Sequence, residues 1–354
     1  MKIIPIIFFL NIAGSVMAQQ PDENKFSWSG ALETYYLYDV NNPASKQLPG
    51  FVYSQPKHNQ VSINYALIDA HYADSTVHAN FGLITGDYPQ RNYSAEPETY
   101  RHLYEANIGF QILNALWIDA GVMPSHIGLE GALTQDNMTL SHSLMAHNSP
   151  FYESGIKVSY SSAKWLFAFL LLNGWQNIND NNNNKAVGTQ IQWKPTGSIL
   201  LNSSTFIGDG TNLPDSLTLT RYFHDFYLTY SFTEKMSIAA AYDIGIQQRS
   251  HGADDYFTWW GTSVILKYKF TDKTSVSARG EYFSDKNQAV ITTNTPDGFQ
   301  TTGFSANLDY LLKSNLIIRL EAKHFSSKDD LFPGNHDNFK NETSMIISSF
   351  DIKF

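Results

Sequence analysis

The chain of 354 residues contains no cysteine. Disulfides, thiol catalysis and zinc–thiolate centres are excluded, and an exported bacterial protein fits that composition. Charge is sparse as well: Asp, Glu, Lys and Arg make up 16% of the chain, against about 25% in soluble domains. Past the N-terminus there is no long apolar run. The longest, Trp165 to Leu172, has eight residues, whereas a helix needs about 20 to cross a bilayer. A helical inner-membrane protein is therefore excluded. Glycine-rich phosphate loops and GxGxxG patterns are absent. The formal net charge of −9 argues against nucleic acid as a partner.

Aromatics, by contrast, are abundant, at 14% with 20 Tyr and 23 Phe. Few charges and many aromatics suit a surface that meets lipid and headgroups. The N-terminus reads as a secretory signal over residues 1–18. Lys2 supplies the positive end, Ile3 to Leu10 a short apolar stretch interrupted by Pro5, and Val16-Met17-Ala18 a small-residue cleavage site. No cysteine follows to carry a lipid anchor. Residues 19–354 then form one domain, with a low-complexity polar tip at Asn179 to Asn184.

Almost everywhere the hydrophobic period is two. Val77, Ala79, Phe81 and Leu83 alternate with His78, Asn80 and Gly82; Val264, Leu266, Tyr268 and Phe270 alternate with Ser263, Lys267 and Lys269; Ile318, Leu320 and Ala322 alternate with Arg319, Glu321 and Lys323. Soluble sandwiches alternate too, so length and punctuation decide. The segments run roughly 9–14 residues, as tilted membrane strands must, rather than the 5–6 of globular strands. Very short turns, such as Leu113-Asn114, Thr233-Glu234-Lys235 and Lys313-Ser314, alternate with long polar loops. That rhythm is the outer-membrane one. The expected fold is all-β: a transmembrane antiparallel up-and-down β-barrel of about 16 strands. The spans are 26–39, 59–73, 76–86, 102–112, 115–123, 153–161, 164–175, 186–194, 198–207, 222–232, 236–247, 257–270, 274–284, 299–311, 315–325 and 343–354. An unpaired backbone group in lipid costs several kcal/mol, so the first and last strands must pair. Aromatics near strand ends are assigned to interfacial girdles: Tyr36, Tyr38, Trp175, Trp193, Tyr222, Tyr230, Phe232, Trp259, Trp260, Tyr268, Phe270, Tyr282 and Tyr310.

The third outer loop, about residues 124–152, is the longest. Its apolar residues Leu129, Leu133, Met138, Leu140, Leu144 and Met145 exceed what a solvated loop wants. The lumen wall is the nearest surface for them, and folding inward would narrow a pore. Its candidate constriction residues are His126, Glu130, Asp136, His142 and His147.

Gly121 to Pro124, Gly128-Leu129-Glu130, Asp136-Asn137, Ser141 to Ser143, Pro150 to Gly155 and Asn173-Gly174-Trp175-Gln176 together resemble the OmpL-like β-barrel porins, the porin-2 family. The local motif spans about 120–176, and the layout covers most of the mature chain. The resemblance implies an outer-membrane barrel with a channel role, and neither a substrate nor catalytic residues. The terminal Phe354 resembles the signal read by the outer-membrane assembly machinery.

A Lys or Arg facing lipid at mid-membrane costs about 2–4 kcal/mol, so strand charges are expected inside. The candidates are Glu33, Asp69, Glu105, Asp119, Lys157, Asp225, Asp243, Lys267, Lys269, Arg279, Glu281, Asp309, Arg319, Glu321 and Lys323. A barrel of this size is too wide for side chains alone to fill, so a water-filled lumen is expected. Acids dominate the early strands and bases strands 12 to 15, so opposed walls and a transverse field are expected. No metal site, cofactor or catalytic set is expected. His71 and His78 flank a turn, Ser141-His142-Ser143 cannot form a triad from one segment, and Asp329, Asp330, Asn335, Asp337 and Asn338 read as a solvated acidic loop. The expected function is passive diffusion of small polar solutes; the alternatives are a non-conducting barrel with a binding or structural role, and a barrel hydrolase. Expected partners are outer-membrane lipid and lipopolysaccharide, the assembly machinery through Phe354, and the solutes. A homo-oligomer is compatible with such a barrel.

Overall fold

The computed structural model describes residues 25–354; the signal-sequence reading of residues 1–18 lies outside them. The alternating segments form β1 (Phe26–Asp39), β2 (Val61–Ala73), β3 (Val77–Thr85), β4 (Leu103–Leu113), β5 (Leu116–Pro124), β6 (Tyr152–Ser161), β7 (Trp165–Leu172) and β8 (Ala186–Thr196). The second half adds β9 (Ile199–Asp209), β10 (Thr220–Ser231), β11 (Met236–Gln248), β12 (Tyr256–Lys269), β13 (Thr274–Asp285), β14 (Phe299–Lys313) and β15 (Leu316–Ser327). A two-residue ribbon, β16 (Phe332–Pro333) with β17 (Phe339–Lys340), decorates the eighth outer loop before the last strand, β18 (Glu342–Lys353). Every long strand pairs antiparallel with its chain neighbours, and β18 pairs back onto β1, closing a 16-strand barrel.

The seam shows how closure is secured. The Gly30 amide donates to the Phe354 carbonyl at 2.8 Å, and the Phe354 amide returns a bond to Gly30 at 3.0 Å. The Phe354 ring lies over Gly30, where a Cβ would sit 2.5 Å from it. Glycine at this register lets the terminal ring cover the seam.

The strands run from 8 to 15 residues, enough to cross a bilayer at a tilt. Their outer faces expose Phe81, Ile108, Phe169, Val264, Leu266, Phe304, Leu320 and Phe350, and the alternate positions are buried. β7 is apolar on both faces: Phe167, Phe169 and Leu171 point out, while Leu170 and Leu172 are buried inside. That explains the eight-residue run, because this strand has lipid on one side and packed protein on the other. It also ends at Leu172 rather than 175, since Gly174 takes φ 146° and turns the chain over the barrel mouth.

The girdle assignment needs two corrections. Trp259 and Trp260 are neighbours, so the pleat forces one inward, and Trp259 is fully buried. Trp175 lies beyond the strand and packs edge-on against Phe206 and Phe223. The two indoles flank Arg221, whose guanidinium carbon sits 4.5 Å and 5.1 Å from their ring centres.

Val264→Arg places a cation on the lipid face of β12 near its middle. It should lower the unfolding free energy by about 2–4 kcal/mol, read from denaturant titrations of the barrel folded in lipid vesicles.

Candidate functional site: the lumen and its third loop

The inward-pointing charges of β12–β15 and the third outer loop, residues 125–151, meet inside the barrel. The loop carries α2 (Leu144–His147), capped by Ser143, whose Oγ accepts from the Ala146 amide at 3.2 Å. Arg279 on β13, 2% exposed, is the main anchor. Its guanidinium donates to Thr139 Oγ1 (2.7 Å), the Ser141 carbonyl (2.6 Å), Ser141 Oγ (2.9 Å) and Glu130 (3.2 Å). From the wall, Glu321 pairs with it at 3.3 Å and Glu281 at 3.4 Å. Lys323 donates to the His142 carbonyl at 2.8 Å and pairs with Glu281 at 3.3 Å. Arg319 reaches the carbonyls of Thr134 (2.7 Å) and Asn137 (3.2 Å).

The loop is fastened on the other walls too. Thr134 hydrogen-bonds Glu33 on β1. His126 sits between Glu153 on β6 (2.8 Å) and the Thr205 carbonyl on β9 (2.8 Å). Ser149 donates to Asp243 at 2.9 Å, beside the directly opposed Asp225. Lys353 pairs with Asp136 at 2.6 Å.

Apolar packing completes the closure. Inward Phe206, Phe223, Trp259, Phe283, Phe299 and Phe325 form one cluster with Ile127, Leu140, Leu144 and Met145 of the third loop. Leu48 and Val52 of the first loop and Leu331 and Phe332 of the eighth join it. Loops thus fold into the outer half of the lumen, which side chains alone would not have filled. Loop residues therefore share with water the lumen expected to be open there, and narrow it. Toward the short-turn end, His71, His78, Lys157, Lys194 and Lys269 on the inner wall keep part of their surface accessible. A vestibule remains on that side.

The opposed-wall reading also changes. The bases of β12–β15 carry acids within their own wall: Lys267–Asp309 at 3.0 Å, Arg319–Asp309 at 2.8 Å, and Arg279 and Lys323 with Glu281 and Glu321. Buried charges must be paired locally, and these pairs weaken the expected transverse field without removing the excess of bases on this wall. On the other wall Asp119 pairs with His78 (2.6 Å) and Lys157 (3.5 Å).

Sequence reading missed the first-loop partners of the third loop. Ser54 hydrogen-bonds His142 Nδ1 at 2.8 Å, and the Tyr53 amide donates to His147 Nδ1 at 3.3 Å. Arg91, on the second-loop helix α1 (Asp87–Asn92), holds the first-loop carbonyls of Leu48, Pro49 and Val52. Ser141 bonds Glu321 rather than a histidine. The Ser54–His142 pair is buried, and His142 Nε2 donates to the Gly131 carbonyl at 2.8 Å, so the pair lacks the orienting acid and substrate access of a hydrolase triad. The structure further brings Asp69, His71 and Glu105 together. Among the described residues this is the one convergence of three side chains able to hold a metal.

The profile of the family described as "Putative beta-barrel porin-2, OmpL-like" matches residues 25–354. The chain belongs to this porin-2 family. A search of curated proteins gave no match. Among solved structures, the barrel is similar to OmpT of Vibrio cholerae, at 12% identity over 94% of this chain and 99% of that one, TM-score 0.61. An anion-selective porin from Comamonas acidovorans matches at 7% identity over 93% and 99%, TM-score 0.62. Salmonella typhi OmpF, in complex with daunomycin, matches at 11% identity over 93% and 97%, TM-score 0.63. At these identities the likeness concerns the fold. This porin-2 member is a bacterial outer-membrane barrel of the porin type. One of the Vibrio cholerae OmpT structures is described as a trimer form.

Two predictions follow from the loop anchors. Arg279→Ala leaves Glu130, Glu281 and Glu321 facing one another without their shared cation, a loss of about 3–5 kcal/mol in such settings. The third loop should become cleavable by added protease while the barrel stays folded. Separately, burial pulls the His142 and His147 imidazoles below the ordinary histidine value. A lowered folded-state value means that the docking contribution is complete above about pH 6.5 and is lost as pH falls through the lower folded values. Hydrogen-exchange protection at Tyr53 and Ser54, taken relative to the intrinsic rate at each pH, should fall on acidification, and the fall should shrink in His147→Gln.

Proposed function

We propose that this porin-2 member is a passive channel for small polar solutes whose aperture is set by the inward-folded third loop. The observation that carries this reading is the charged face of β13–β15, which grips a loop lying across the lumen. A loop held there by hydrogen bonds and ion pairs acts as a size filter, and displacing it widens the path. The polar vestibule wall of β2–β6 supports traffic of hydrated solutes rather than apolar ones. We read the chain as a channel and not an enzyme, with lipid and lipopolysaccharide around it. The exposed terminal Phe354 serves assembly, and self-association into a trimer is part of the same proposal.

One observation favours a second reading, a barrel that does not conduct at rest. The apolar cluster over Phe223, Trp259, Phe283 and Phe299 has the packing of a protein core. Planar-bilayer recording separates the two. The channel reading expects small, discrete conductance steps in the native barrel and steps several times larger in Arg279→Ala. A silent native barrel that opens only in Arg279→Ala favours the resting-closed reading. Silence in both, with folding verified by heat-dependent gel mobility, overturns the channel proposal.

A further inference from the structure

On the vestibule wall, Asp69 of β2, Gly82 of β3 and Glu105 of β4 occupy one row across three strands, since Asp69 faces Gly82 and Gly82 faces Glu105. The middle position has no side chain. A Cβ there would lie 3.1 Å from Asp69 Oδ1 and 3.1 Å from the Tyr104 ring, so glycine leaves the room that the Asp69 carboxylate occupies between the strands. His71, two residues along β2, points to the same face. One ligand atom from each of Asp69, His71 and Glu105 lies within 4.8 Å of the others.

We infer that this trio is a divalent-cation site of the zinc class. Both carboxylates are buried, Asp69 with 4% exposure and Glu105 with 8%. Asp69 Oδ1 has no hydrogen-bond partner. Asp69 Oδ2 lies 3.5 Å from His71 Nε2. The two buried carboxylates crowd one another in a poorly solvated place, where either a shared proton or a divalent cation between them relieves the repulsion.

Surrounding hydrogen bonds orient the nitrogen ligand. His71 Nδ1 meets Asn80 Oδ1 at 2.9 Å, Asn80 Nδ2 donates to Asn107 Oδ1 at 2.9 Å, and Asn107 Nδ2 donates to Glu105 Oε2 at 3.0 Å. Asn80 Oδ1 is an acceptor, so Nδ1 carries the hydrogen. Nε2 is left with the lone pair, on the side of Asp69. A metal-binding histidine is held in this way, its second nitrogen fixed by an outer partner. Ser29 Oγ, 3.1 Å from Nε2, donates to that lone pair and gives up this bond to the cation. One imidazole and two carboxylates select a borderline divalent ion over Mg²⁺ or Ca²⁺, which prefer all-oxygen sets. His71 is one-third exposed, so the cation enters from the lumen and keeps coordination positions open to water or solute. This inference stands on the vestibule wall and does not depend on whether the barrel conducts.

The test is calorimetric titration of the folded barrel in detergent with Zn²⁺, and with Mg²⁺ in parallel. One Zn²⁺ per chain is expected, with affinity weakened by about tenfold or more in His71→Ala and in Glu105→Gln, and with Mg²⁺ bound far more weakly. Asp119→Asn, in the adjacent His78 row, should retain binding. His71 is partly exposed, so His71→Ala keeps the test decisive even where a carboxylate variant fails to fold. No saturable Zn²⁺ binding, unchanged affinity in folded His71→Ala, or equal affinity for Mg²⁺ overturns the inference.

Discussion

A backbone amide in hydrocarbon has nowhere to send its hydrogen bond except to another strand. The pairing of β1 with β18 satisfies that demand for the whole sheet, because sixteen strands left open would present two unpaired edges. The Gly30–Phe354 exchange of bonds, with the aromatic ring laid over the seam, makes the closure local and specific. Once the ring is closed, every strand has an inside and an outside. The period-two pattern, the burial of charges and the inward turn of the third loop all follow from that division.

The inside is not uniform. In its outer half, aromatic side chains of β9–β15 and apolar residues of four loops make a core of the kind found in soluble proteins. Toward the short turns the wall is polar, with histidines, carboxylates and lysines that keep contact with water. The third loop joins the two regimes: its apolar residues belong to the upper core, while its backbone and hydroxyls satisfy Arg279, Arg319 and Lys323 below. Each of these three cations is matched by wall acids as well as by loop oxygens, as burial of charge requires.

Much of the barrel was legible in the sequence because its two faces meet different solvents and the alternation records that directly. Strand bounds such as 26–39 agree with Phe26–Asp39, and the short turns near Leu113-Asn114, Thr233-Glu234-Lys235 and Lys313-Ser314 lie where expected. The inward orientation of Arg279 or Glu321 followed from parity alone. What parity could not convey was contact between distant segments. Ser54 and His142 are 88 positions apart, and no local pattern links them. The girdle reading failed at Trp259 for a related reason: adjacent tryptophans look alike in sequence, and only the pleat decides which one faces in. Asp69 and Glu105 went unpaired because the residue that joins them, Gly82, contributes nothing but room.

The anchoring of the third loop also limits how such a barrel diversifies. Surface loops ordinarily drift freely, since little of the scaffold depends on their residues. Here Arg279 binds Glu130, Thr139 and Ser141 of the loop together with Glu281 and Glu321 of the wall. A replacement on either side strands buried charge on the other, so loop and wall have to be exchanged as a unit. New lumen properties would then arise by swapping this whole module, or by altering the unanchored rim, rather than by stepwise change of single anchors.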